Sequence, residues 1–512
     1  MRRRALVRAA AAATSAPLVL RWPLARAADD RFALGVASGS PRPDGMVLWT
    51  RLVGDGLPAR TAVRWEVAED EAFARVVASG EEQAVDGEAM TVHAEPRGLR
   101  DDRWYHYRFH ALGQTSRTGR TRTAPAADAA AGTLRFAIAS CQRYDVGHYA
   151  AWRAVAESDP DLVLFLGDYI YETATPASRS DAPRRHEGGQ ARTLQGYRDR
   201  YATYKSDPHL QAAHARAPWL VIWDDHEVAN DYAGLQGQDL APDFAERRAA
   251  AYRAYWEHMP FSRALKPGAD HAMRVYGRLD WGRLARIHLL DDRQYRDPQA
   301  CPKEGRGGSN VVARAACPAL DDPRRTLLGA AQERWLDDGW SLDRPWNLLA
   351  QQTLMARFAW GEPGLGPEAL WTDGWDGYGP ARKRLLGTVA AKKVPGVVVL
   401  GGDVHSHYVA DLKADFDERA ADRSPVVATE FCGTSISSLS GLSQERLQAL
   451  LPFNPHIRYG RSDRRGAITF RLDVGRCEAA LLGVDQPREA ASAVSVLARY
   501  AVDAARAGAQ PA

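Results

Sequence analysis

The sequence predicts a mixed α/β chain. It reads as an N-terminal β-sandwich over 32–123, a larger α/β domain over 134–485, and a closing helix with a frayed tail over 486–512. Three observations predict this. Between 32 and 123, stretches such as TAVRWEVAED and WYHYRFHALG alternate apolar and polar residues and are separated by turns, as antiparallel strands are. From 134 onward, short apolar runs alternate with helical stretches, the pattern of a parallel sheet. Several of those runs end in residues that bind metals.

The chain opens with MRRRALVRAAAAATSAPLVLRWPLARAADD. Paired arginines, a modestly apolar stretch and Ala25-Arg26-Ala27 read as an export signal over 1–27, of the twin-arginine type. That segment is too short and interrupted to span a membrane, and no later segment qualifies. The expected partner for export is the twin-arginine machinery, and the expected location is periplasmic or secreted. Formal net charge is +3 on a chain that is 26 % charged, with no nucleic-acid module. Fifteen Trp and 18 Tyr fit a folded core. Of five cysteines, Cys301 and Cys317 bracket the loop CPKEGRGGSNVVARAAC, where a disulfide would fasten an insertion. Cys432 and Cys477 read as buried apolar residues.

Within the α/β domain, TAPAADAAAGT is a linker, and the first run, LRFAIASCQRY, ends at Cys141. A helix over HYAAWRAVAESDP follows. The second run, DLVLFLGDYIYE, ends in Gly167, Asp168, Tyr169 and Tyr171, with Tyr171 one helical turn from Asp168. Helices are expected over TLQGYRDRYATYKSD and PHLQAAHARAP. The third run, WLVIWDDHEVANDY, carries Asp224, Asp225, His226 and Asn230, and a helix over DFAERRAAAYRAYWEHMP comes next. RVYGRLDWGRLARIHLLDDRQY and WNLLAQQTL add strands, and RTLLGAAQERWLDDG adds a helix with a nearby glycine stop. The fourth metal-bearing run, VVVLGGDVHSHYVADL, delivers Asp403, His405 and His407. Asp403 and His405 are expected on one face of an extended segment. PREAASAVSVLARYAVDAARAGAQPA reads as the closing amphipathic helix.

Ligands of open α/β sheets gather at the carboxyl ends of strands. Four strand ends carrying carboxylate, imidazole, thiol and phenol point to one metal site. Asp168 is the natural bridge, since its two oxygens can each take an ion. Two ions about 3.5–4 Å apart clamp a phosphoryl group for in-line displacement by water on the metals. Cys141 and Tyr171 suit an oxidised iron, while Asp225 and Asp403 suit Ca2+ or Mg2+. His226 would orient the phosphate or protonate the leaving oxygen. Plainer readings stand beside these. Tyr169 and Tyr171 also read as core tyrosines, Cys141 as an inert thiol, Asp224 and His407 as supports for other groups, and Arg143 as a salt-bridge partner.

SCQRY, GDYIYE, WDDHEVANDY and GGDVHSH, in this order and spacing, resemble the motifs of PhoD-type alkaline phosphatases. LGVASGSPRPDGMVLWTRL, LGAAQERWL, NLLAQQT and EFCGTSISS extend the resemblance over nearly the whole chain after 27. One departure is Gly39-Ser40-Pro41, where the family has GDP. The resemblance implies a four-layer αββα metallophosphoesterase domain behind the sandwich. It implies one Fe3+ held by Cys141, Asp168, Tyr171 and His405, and Ca2+ held by Asp168, Asp225 and Asp403, with Asn230 as a further calcium donor. It implies an exported phosphatase acting on small or polymeric phosphate esters, without a covalent enzyme intermediate. A phosphodiesterase of the phospholipase D kind is the nearest alternative. A catalytically silent calcium- or phosphate-binding protein is the other.

Overall fold

Two large sheets stand face to face in the computed structural model, which describes residues 30–361, 364–366, 368–417 and 424–512. The export segment read over 1–27 lies outside these. At the centre of the first sheet, Thr133–Ala139, Leu162–Phe165 and Trp219–Val221 run parallel, with Phe136 opposite Leu162 and Val163 opposite Trp219. At the centre of the second, Ala285–Leu289, Trp346–Ala350, Val397–Gly401 and Val426–Cys432 run parallel.

Alternation along the strands explains the packing. Leu162 and Leu164 turn toward the space between the sheets, where they meet Leu348, Val398, Leu400 and Phe431. Val163 and Phe165 turn outward to Trp152, Tyr201, Trp219 and Trp256, on or beside the helices Ala150–Glu157, Leu194–Lys205 and Phe244–His258. Val397 and Val399 do the same on the second sheet, against Leu386 and Leu447 of the helices Gly379–Lys392 and Gln444–Leu450. Strands buried on both faces need no polar alternation, which is why they appear in the sequence as unbroken apolar runs. Phe470 pins the two sheets together. It stacks on Phe136 at 4.5 Å and meets the edge of Phe431 at 5.4 Å.

The N-terminal stretch packs as two facing layers around one apolar core, with Val36, Leu48 and Val92 against Val63, Val67 and Tyr107. Arg60–Ala68, Val76–Val85 and Trp104–Ala111 form a separate antiparallel sheet with two short strands, but Val36–Arg42, Gly45–Arg51 and Thr91–Ala94 continue the first large sheet. The junction is Gly39 beside Trp219. A Cβ at Gly39 would lie 2.6 Å from both the Trp219 carbonyl and Pro260, so only glycine lets the strands meet.

The closing helix expected over 486–512 is instead a β-hairpin, Val494–Asp503 and Arg506–Pro511. Alanine content favours helix, but Val494, Val496, Tyr500 and Val502 fit a pleated surface, and the free edge of Arg476–Val484 supplies a hydrogen-bonding partner. Tertiary pairing therefore overrides local propensity. The Gly508 N–H donates to Thr429 Oγ1 at 2.9 Å, so the edge of the first sheet is tied to the interior strand Val426–Cys432 of the second.

Phe470→Ala is expected to cost about 3–5 kcal/mol of unfolding free energy, read as a lowered denaturant midpoint. A midpoint within error of the parent would refute Phe470 as the pin between the sheets.

Candidate metal centre

The first sheet delivers Cys141 beyond Ala139, Asp168 beyond Phe165 and Asp225 beyond Val221, while the second delivers Asp403 and His405 beyond Gly401. The strands converge, and the chain turns sharply where each ends. Cys141, Asp168, Asp403 and His405 all occupy the left-handed region, at φ 59°, 59°, 61° and 51°. Asp403 and His405 therefore lie in a turn rather than on the extended segment expected from their spacing. Tyr171 likewise follows Asp168 through irregular backbone, not through a helical turn. Each such non-glycine residue costs about 1–3 kcal/mol unless its surroundings enforce it. Gly167 makes the crossing possible, since a Cβ there would sit 2.4 Å from Asp224 Cβ.

Two donor groups result. In one, ligand atoms of Cys141, Asp168 and His405 lie within 4.8 Å of one another; in the other, those of Asp168, Asp225 and His226 do. Asp168 belongs to both. The Tyr171 hydroxyl completes the first group, 2.8 Å from Asp168 Oδ2 and 3.2 Å from His405 Nε2. His405 Nδ1 lies 2.7 Å from the Leu439 carbonyl, which turns Nε2 toward Tyr171.

Sequence reasoning missed four supports. Glu227 accepts from the backbone N–H groups of Asp168 at 2.9 Å, Asp224 at 2.8 Å and Tyr169, so one carboxylate ties two turns together. Glu172 Oε2 lies 2.7 Å from His226 Nδ1, and its Oε1 accepts from the Asn230 N–H at 3.0 Å. Arg293 is bonded to Asp224 through Nε and to Asp373 through Nη1 at 2.8 Å. Its Nη2 stands 3.9 Å from Asp225 and 4.0 Å from Asp403. Ser438 Oγ stands 2.8 Å from the Cys141 carbonyl and 2.7 Å from the Tyr171 hydroxyl. Arg293 and Ser438 lie in IHLLDDRQY and EFCGTSISS, next to apolar strands, while Glu172 and Glu227 sit inside two of the recognised runs.

Other expected residues fall differently. Asn230 donates its backbone N–H to Glu172 Oε1 at 3.0 Å, which places it beside the His226 support. His407 accepts from Thr434 N at 3.2 Å and donates from Nε2 to the Leu482 carbonyl at 3.0 Å, a buried structural role. Arg143 pairs with Asp145 at 2.7 Å, its guanidinium 5.4 Å from the Tyr171 ring centre.

Charge is the controlling quantity. Burial raises Asp168 well above the ordinary carboxylate range, and Asp225, Asp224 and Asp403 push it further against the pull of His226. Burial and the Asp224 charge do the same to Asp403. Burial, then Asp168, raises Cys141 and Tyr171. Burial would raise Asp225 too, but Arg293 and His226 outweigh it and hold its carboxyl at about 2. Burial opposes charge on His226, yet Glu172, Asp225 and Asp168 together raise it well above its usual value. Burial keeps His405 neutral, at about 3. Asp403 Oδ2 is buried without a hydrogen-bond partner among the described residues. A clustered set of anionic donors, a neutral imidazole and an unpartnered carboxylate oxygen fits bound cations.

Residues 136–481 match the family described as PhoD-like phosphatase, and residues 16–125 match its N-terminal domain. The chain is 41 % identical over 451 residues to alkaline phosphatase D of Bacillus subtilis (strain 168), covering 85 % of this chain and 75 % of that one. A solved structure titled "Structure of PhoD" superposes with a TM-score of 0.86 at 38 % identity, covering 94 % of this chain and 92 % of that one. The chain belongs to the PhoD-like phosphatase family and is a phosphatase.

Glu172→Gln is expected to lower kcat/KM by about 10–100-fold, the usual consequence of removing the group that orients an active histidine. Steady-state kinetics on an aryl phosphate check this, and an unchanged rate would refute the role.

Proposed function

We propose that this member of the family is an exported phosphoric ester hydrolase that holds iron (Fe3+) and calcium (Ca2+) and releases phosphate from organic esters. The observation that carries the reading is the sharing of Asp168 between two donor groups at the meeting point of both sheets. Thiolate, phenolate, carboxylate and imidazole from Cys141, Tyr171, Asp168 and His405 suit an oxidised iron. Asp168, Asp225 and Asp403 offer oxygen alone, which suits calcium. When bound, the cations supply Lewis acidity, neutralise phosphoryl charge and lower the pKa of water.

The chain's own groups do the rest. Glu172 holds His226 through Nδ1 and, not being among the proposed ligands, favours the protonated imidazole. Nε2 is then the atom that passes a proton to the leaving oxygen. Arg293, fixed by Asp224 and Asp373, sets the spacing of Asp225 and Asp403 across one guanidinium. Glu227 holds the Asp168 turn in its left-handed conformation, so the bridging carboxylate is oriented before substrate arrives.

Diester cleavage of the phospholipase D kind is the second reading, favoured by an apolar cavity that opens beside Asp403 and His405. The division into 32–123 and 134–485, the αββα layer order of the larger part, and the periplasmic or secreted location belong to this proposal. The bond between Cys301 and Cys317 supports an oxidising compartment. Among the described residues, no helix is long and apolar enough to cross a membrane.

Three measurements test the reading. Tyr171→Phe is expected to abolish a visible phenolate-to-iron band and most activity; a fully active variant that keeps the band would remove Tyr171 from the ligands. Asp168→Asn is expected to lose both metals by elemental analysis, and retention of both would end the bridging assignment. With one metal-supplied preparation, kcat/KM for an aryl monoester and for the matching diester is expected to favour the monoester. A strong reverse preference would move the assignment to a phosphodiesterase.

A further inference from the structure

A cavity of about 320 Å³ opens directly beside the metal centre, and Asp403 and His405 form part of its wall. Away from those two residues its character changes completely. Phe358, Trp360, Trp371, Trp375, Leu354 and Leu442 dominate the remaining lining. Phe358 meets Trp360 edge-on at 5.3 Å and Tyr408 at 5.6 Å, so the aromatic wall is packed rather than loose. The other acid in the lining, Asp376, is already engaged. It accepts from the Phe358 N–H at 2.8 Å and pairs with Arg382 at 2.6 Å. The cavity therefore has a charged mouth at the metal ligands and an apolar, aromatic body.

Part of that body is built by the insertion that the disulfide fastens. Val311, inside the loop closed by Cys301 and Cys317, pairs with Trp371 in a two-stranded ribbon, and both residues line the cavity. The alternate residues Val312 and Leu370 point the other way and bury Cys317 with Leu320. The bridge thus stands behind the wall that carries Trp371.

We propose that this cavity is the subsite for the organic group of the ester, and that it selects substrates whose group is apolar and ring-sized. The proposal rests on the phosphatase reading above, because the phosphate must sit at Asp403 and His405 for its substituent to enter the cavity. A phenyl ring fits the volume and has aromatic partners there, whereas a small polar alcohol gains nothing from that wall. The ribbon around Trp371 is then a specificity element, and the disulfide is what keeps it in place.

Organophosphonates test this without turnover, because the carbon–phosphorus bond leaves one substituent in one place. Calorimetric titration of the iron- and calcium-supplied protein is expected to show phenylphosphonate binding at least about tenfold tighter than methylphosphonate, roughly 1.4 kcal/mol. Trp371→Ala removes one wall. Gly441→Phe fills the cavity from a position where a Cβ meets nothing within 4 Å and the backbone is not left-handed. Each variant is expected to cut the preference below about threefold while leaving methylphosphonate affinity unchanged. Equal affinity of the parent for the two phosphonates overturns the proposal, as does a preference that both variants leave intact. Hydrolysis of phosphate esters alongside either result confines the failure to the subsite. Absence of hydrolysis and of all phosphonate binding would instead remove the phosphatase reading beneath it.

Discussion

The structure depends on concentrating negative charge where water is excluded. Asp168, Asp225, Asp403, Tyr171 and Cys141 are brought together, with Arg293 and His226 among the cations beside them. Left alone, carboxylates at such separation oppose one another's ionisation, which is why Asp168 and Asp403 are pushed up while Asp225, nearest to compensating charge, is pulled down. A site of this kind is expensive to fold and inexpensive to load. Cations bound there would release the electrostatic cost of assembling the donors, which would make metal binding and stability one linked quantity.

That cost explains how the surroundings are organised. The left-handed turns at Cys141, Asp168, Asp403 and His405 would relax if their hydrogen-bonding partners were weak. Three of the four are braced by partners from elsewhere in the chain. Glu227 collects N–H groups from the Asp168 and Asp224 turns, Ser438 links the Cys141 carbonyl to Tyr171, and Leu439 orients His405. The supports come from segments distant in sequence. The site therefore forms only when both sheets are in register, and Phe470, between Phe136 and Phe431, is part of what sets that register.

Sequence made the strand ends visible because a doubly buried strand leaves an unbroken apolar run such as LVLF or VVVL, here followed closely by donor residues. Donors at the ends of such runs, Cys141, Asp168, Asp225 and Asp403, could therefore be named from residue type and position. Glu172, Glu227 and Arg293 could not, because their value lies in which backbone N–H or carboxylate they reach, and that is set by tertiary geometry. The closing hairpin escaped for a related reason. The stretch from 486 is rich in alanine, and only the exposed edge of Arg476–Val484 turns its valines and Tyr500 into a strand. Asp403 and His405 both line the cavity, but through a turn rather than on one face of the extended segment their spacing indicates.

The N-terminal strands fit the same logic from the opposite side. Gly39 lies against Trp219, the first residue of Trp219–Val221, the strand that leads toward Asp224 and Asp225. Trp219 also packs on His214, Trp152 and Phe165, so the strand is held by aromatic contacts on its outer face and by a foreign strand along its edge. A three-residue strand has few hydrogen bonds of its own with which to place two buried aspartates. Continuing the catalytic sheet into Val36–Arg42 supplies the missing edge. The N-terminal part is thus coupled mechanically to the metal centre, although its own residues lie far from it. Ser40 belongs to this joint: with φ at 48°, it sits where the strand Val36–Arg42 shifts register, and its Oγ stands 3.3 Å from the Pro260 carbonyl. A substitution there would act on Asp224 and Asp225 through the strand that leads toward them, by geometry rather than by charge.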